Sequence, residues 1–99
     1  MDRGSQQIIT VGTMALTPLL PASQQRRRLH FSVASGTAYV TDRPDATAGT
    51  GFPVTPGSPL IMDRDNYGDM LHHSWFGSSL SGVVDIGVID VQDVGPNEV

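Results

Sequence analysis

Arg28-Leu29-His30-Phe31-Ser32-Val33-Ala34-Ser35-Gly36-Thr37-Ala38-Tyr39-Val40-Thr41 is the stretch that decides the fold class. Leu29, Phe31 and Val33 point one way and Arg28, His30 and Ser32 the other. That period of two marks a half-buried strand. Ser35-Gly36 reads as a tight turn, and residues 37–41 as the strand returning beside the first, a β-hairpin.

The flanks carry the same signature. Residues 7–14 are rich in β-branched side chains and read as a strand. Residues 15–20 continue it irregularly, because Pro18 and Pro21 cannot donate to a central ladder. Residues 1–6 are polar and read as a flexible N-terminal arm. On the other side, residues 42–51 show no apolar periodicity and form a long exposed loop, the kind of segment where binding residues often sit. Residues 52–54 are briefly extended, Pro56-Gly57 makes a turn, and residues 59–63 are a short strand. Residues 69–76, around His72-His73, read as a strand, and 77–82 as a Gly/Ser turn. The last strand spans 82–91, with Val84, Ile86 and Val88 on one face and Val83, Asp85 and Gly87 on the other. Residues 95–99 are a tail. The expected fold is all-β: one compact antiparallel β-sandwich or barrel of six to seven short strands over residues 7–94.

Composition agrees. Of 99 residues, 38% are apolar and 16% charged, so Gly, Ser, Thr and Pro fill the difference. Gly and Pro are the costliest residues inside a helix and suit many turns between short strands. The absence of Cys removes disulfides and thiolate metal sites. A net charge of −4 argues against nucleic acid, which needs a basic face to neutralise phosphates. No apolar run is long enough to span a bilayer. The opening Met1-Asp2-Arg3-Gly4-Ser5 leads into no apolar signal region, so a complete small product without a secretion leader is expected.

Motifs with chemistry are thin. Residues 63–69 resemble the front half of a calcium loop, with Asp63, Asp65 and Gly68 in place. Tyr67 stands where Asp or Asn belongs, and Ser74 where a bidentate Glu belongs, so a solvated acidic turn is the simpler reading. Adjacent His72 and His73 diverge on a strand and share no ligand spacing. Gly77-Ser78-Ser79-Leu80-Ser81-Gly82 does not match the Gly-x-Ser-x-Gly elbow of a hydrolase. With no Lys, the chain has no phosphate-loop motif. No catalytic residue, cofactor or metal is expected, and the protein reads as a binder rather than an enzyme. Trp75-Phe76 reads as core packing, with a sugar-stacking platform as the alternative.

All six basic residues are Arg, the commoner cation at protein interfaces. Arg26-Arg27-Arg28 is the densest charge. Alternation places Arg26 and Arg28 on the polar face, either as a solvated, aggregation-blunting edge or as a cationic spot for an acidic partner. The partner-binding residues expected are Arg26, Arg27, Arg28, Arg43, Asp45, Gln6 and Gln7.

The layout resembles small virion proteins of tailed bacteriophages, of the capsid decoration or cement type. The pattern runs from Ile8-Ile9-Thr10-Val11-Gly12-Thr13 and Leu20-Pro21-Ala22, through the basic entry to Leu29-His30-Phe31-Ser32-Val33, Ser35-Gly36 and Ala38-Tyr39-Val40. It continues in Gly51-Phe52-Pro53-Val54 and Pro56-Gly57-Ser58-Pro59-Leu60, and closes in Ser81-Gly82-Val83-Val84-Asp85-Ile86. The resemblance covers most of residues 8–91. It implies a β-domain made in the host cytoplasm that sits on the virion exterior, binds the major capsid protein as a dimer or trimer, and stabilises the head. Another virion component, such as a tail, neck or head-fibre adaptor, is the alternative within that class. A small glycan-binding module using Trp75 is the alternative outside it.

Overall fold

The computed structural model describes residues 2–93. It holds eight strands: β1 (Asp2–Val11), β2 (Thr17–Leu20), β3 (Arg26–Val33), β4 (Ala38–Thr41), β5 (Phe52–Val54), β6 (Leu60–Asp63), β7 (Trp75–Ser79) and β8 (Val84–Asp93). Between β6 and β7 lie one helical turn, α1 (Arg64–Tyr67), and a 3-10 segment, Gly68–His72. The strands form two antiparallel four-stranded sheets, β1-β8-β3-β6 and β2-β7-β4-β5, here called sheets A and B. The protein is an all-β sandwich, with one strand more than the upper expected count because Thr17–Leu20 forms its own strand. Pro18 lies on the edge strand β2, as its missing donor requires.

The expected hairpin at Ser35-Gly36 is corrected. β3 lies in sheet A between β8 and β6, while β4 lies in sheet B between β7 and β5. Residues 34–37 are therefore a corner between sheets. Both edges of β3 are already taken, so β4 folds over it, and Ala38 and Val40 pack in the same core as Leu29, Phe31 and Val33. Gly36 turns the corner at φ +80°, against the Val84 side chain. The chain crosses between sheets at nearly every connection; β4 and β5 are the one pair of consecutive strands that lie side by side.

Two further boundaries move. β1 begins at Asp2 and pairs in unbroken register with β8 from Asp2↔Asp93 to Val11↔Val84, so residues 2–6 are strand rather than a flexible arm. Residues 69–76 are not one strand: the 3-10 segment ends at His72 and β7 begins at Trp75. The expected tail at 95–99 lies outside the described residues.

The core is apolar and centred on Trp75, which is fully buried with Phe31 and Phe52 at ring-centroid distances of 5.9 and 6.1 Å. Its indole Nε1 donates to the Met70 carbonyl at 3.1 Å, satisfying the one polar atom of the ring. A sugar platform built on Trp75 is excluded by that burial. At Gly77 the sheets approach so closely that a Cβ would stand 2.9 Å from Ile86 Cδ1 and 3.1 Å from Leu19 Cδ1.

Candidate partner-binding face

The expected contact residues divide. Arg26 is corrected: its side chain is wholly buried and forms a clamp at one end of the sandwich. Nε donates to Asp90 Oδ1 at 3.0 Å, Nη1 to the carbonyls of Leu71 (2.9 Å) and His73 (3.0 Å), and Nη2 to that of Pro21 (2.7 Å). The cause is a β-bulge. Arg26 lies opposite Gln92 and Arg28 opposite Val91, leaving Arg27 as the extra residue. The extra residue shifts the alternation by one, which turns Arg26 inward and leaves Arg27 and Arg28 exposed. Asp90 continues the inward series Val84, Ile86, Val88, and its second oxygen accepts from Gln92 Nε2 at 3.0 Å.

Arg43 and Asp45 lie exposed on the 42–51 loop. That loop belongs to sheet B. Ser78 sits between the inward-facing Gly77 and Ser79, so it points outward, yet it has no exposed surface. Its Oγ accepts from the Gly49 amide at 2.8 Å. The loop thus folds over the part of sheet B's outer face that holds Ser78. At its start, Asp42 meets His73 Nδ1 at 2.8 Å. A cleft of about 490 Å³ lies between the loop and the 3-10 segment, lined by Asp42, Arg43, Thr50, Phe52 and Met70 among others. Arg43 and Asp45 are therefore separate from Gln6, Gln7, Arg27 and Arg28.

The acidic turn at 63–69 is a capped helix start. Asp63 Oδ1 accepts from the Asn66 amide at 3.0 Å, and Asn66 Oδ1 from the Asp63 amide at 2.9 Å. Among the described residues no three His, Asp or Glu side chains gather to hold a metal ion. His72 is buried with Nε2 unpartnered, while His73 is half-exposed.

The outer faces of the two sheets differ in their apolar side chains: on sheet B Tyr39 and Phe76 are half-buried, and on sheet A two isoleucines stand exposed. The register of sheet A builds rows across the strands. Gln6, Ile89, His30 and Ile61 form one row, and Gly4, Val91, Arg28 and Asp63 another. Ile8 stands beside Gly87 and Ser32, and Thr10 beside Asp85, to which its hydroxyl donates. Ile8 is 73% exposed and Ile61 47%, while Ile89, Val91 and His30 are half-buried between them. His30 Nε2 is buried without a partner. Ile8 and Ile61 stand on the two edge strands and Ile89 and Val91 on β8, interspersed with Gln6, Arg28, Asp63, Thr10 and Asp85, a mixed apolar and polar surface of the kind protein interfaces use. Gln7 does not share this face: it sits on the opposite side of β1 and is exposed there. A second group of exposed apolar side chains, Met14, Leu80 and Val83, occupies the 12–16 and 80–83 turns at the far end of the strands.

The sequence reading missed Ile8, Ile61, Ile89 and Val91 as candidates. The signal was available at His30 and Ser32: their strand alternates, so whatever pairs with them on neighbouring strands shares the outer face.

No family model matches the chain, and no curated protein and no solved structure matches it.

Proposed function

We propose that this protein is a non-catalytic adhesive module, a virion structural protein that binds the major capsid protein through the outer face of sheet A and stabilises the head. The observation that carries the reading is the contrast between the two outer faces. On sheet B the 42–51 loop buries Ser78 and the large apolar side chains Tyr39 and Phe76 are half-buried, whereas sheet A presents Ile8 and Ile61 to solvent among polar neighbours. Exposed apolar patches of this kind mark interaction sites more often than they occur idly. The capsid as partner comes from the sequence resemblance.

The size of the face fits a lattice binder. Four strands by about six residues span roughly 400 Å² of sheet, about half of what one partner contributes to a standard interface. One such contact is weak, but many copies on a repeating shell hold by avidity.

The test is binding to bare capsids. Wild type is expected to bind and to raise the capsid melting temperature. Ile61→Glu, on an exposed position of an edge strand, is expected to fold normally and lose binding. Met14→Ser with Leu80→Ser is expected to keep it. Equal binding by Ile61→Glu, or loss through the Met14 and Leu80 changes instead, would place the contact elsewhere. A copy number of a dozen or fewer per particle would favour a tail or neck component.

A further inference from the structure

The four sheet edges are not alike. β2 is four residues long, holds Pro18 and has an irregular register at Pro18/Leu20. β5 is three residues long with Pro53 at its centre. β6 is four residues long, preceded by Pro59 and ended by α1. Short length, proline and register breaks are the usual means of keeping an edge from pairing with another chain. β1 has none of them. It runs ten residues in unbroken register with β8, with no proline and no charged residue from 4 to 11. Among the described residues no backbone group pairs with its outer edge. Gln6, Gln7 and Ile8 are all exposed, so this half of the strand is held chiefly by its ladder to β8.

We infer that the free edge of β1 pairs with β1 of a second copy of this chain, antiparallel about a two-fold axis, joining two A sheets into one eight-stranded sheet. Three features favour a second copy. An antiparallel strand is complementary to itself about a two-fold, which gives a closed, isologous contact. Residues opposite each other in such a pair face the same side, so only odd–odd or even–even pairings are allowed. The register centred on Ile8 sets Ile8 against Ile8 of the second copy and Gln6 against Thr10, with residues 5–11 overlapping. No like charges then meet at the axis, and the most exposed apolar side chain of β1 is covered. The third feature is geometric. An axis perpendicular to the sheet leaves both outer faces on one side, so the continuous face grows from roughly 400 to roughly 800 Å², the contribution of one partner to a standard interface.

The dimer deepens the adhesive reading and rests on the same sheet, but the two are tested apart. Sedimentation equilibrium of the full chain is expected to show a dimer. Ile8→Lys is expected to weaken association by about tenfold or more, with the circular dichroism spectrum unchanged because the side chain is exposed, and with the melting temperature of wild type diluted to monomer. The chain has no Cys, so Ile8→Cys gives a clean probe and is expected to cross-link as a dimer on mild oxidation. Wild type that is monomeric at its highest soluble concentration overturns the inference. So does a dimer that survives Ile8→Lys, or a β1 edge that is protected from amide exchange only when capsid is added, which would assign the edge to a strand of the partner. A monomer that binds capsids through Ile61 overturns the dimer alone, and a dimer indifferent to capsids overturns the capsid reading alone.

Discussion

Replacing Arg26 by Met tests the element that closes the sandwich. Met keeps much of the side-chain length but removes the donors to Asp90, Leu71, His73 and Pro21. Asp90, 5% exposed, would be left with Gln92 as its remaining side-chain partner. Breaking a buried pair from one side costs about 3–5 kcal/mol, because the surviving charge stays buried. The three carbonyls lose their donor as well, which places the expected cost near the upper end of that range. A domain of this size holds about 5–15 kcal/mol in total, so the variant is expected to fold marginally. Its melting temperature should fall by roughly 20–40 °C at about 4–8 °C per kcal/mol.

Two companions separate the charge from the clamp. Asp90→Asn keeps an acceptor for Nε but leaves the Arg26 charge buried without its counter-ion, so it should cost about 3 kcal/mol, the low end of the same range. Arg26→Met with Asp90→Leu removes both charges and should recover about 2 kcal/mol of the Arg26→Met loss, without restoring the carbonyls. Urea or thermal unfolding followed by circular dichroism measures all three. A cost under about 1 kcal/mol for Arg26→Met, the range of an exposed ion pair, would refute the buried clamp.

Two further outcomes follow from packing and capping. Gly77→Ala should destabilise by about 1–3 kcal/mol, because its Cβ would press on Ile86, Leu19 and Val11 from both sheets; a shift in urea midpoint checks it. Asp63→Ala should cost about 1 kcal/mol by opening the reciprocal cap with Asn66, measurable by thermal unfolding, with earlier amide exchange over residues 64–67.

Alternation made the core legible. Leu29, Phe31 and Val33 in β3, and Val84, Ile86 and Val88 in β8, all face inward as their period of two demands. The same period extends to Asp90, so a buried acid was readable. Its partner was not, because the bulge at Arg27 depends on the pairing with β8 and leaves no mark in local sequence. Hairpin and corner give the same inward pattern, and only the occupancy of both β3 edges decides between them. Residues 69–76 misled for another reason. Leu71 and Trp75 are both buried, which suits a strand with period two and equally a 3-10 segment followed by a strand.

The candidate face was legible in part. Gln6 and Arg28 were expected contacts and do lie on the outer face of sheet A. Arg43 and Asp45 belong to the loop over sheet B, and Arg26 to the interior. The isoleucines between Gln6 and Arg28 escaped notice because they come from three distant strands, Ile8, Ile61 and Ile89, assembled by non-local pairing.

The most direct measurement is retention of wild type and Ile61→Glu on bare capsids, with the melting temperature of each free protein recorded beside it. Wild type retained, Ile61→Glu released and both equally stable is the result expected if the outer face of sheet A is the adhesive surface. Retention of both to the same extent would contradict it, as would a wild type that never binds.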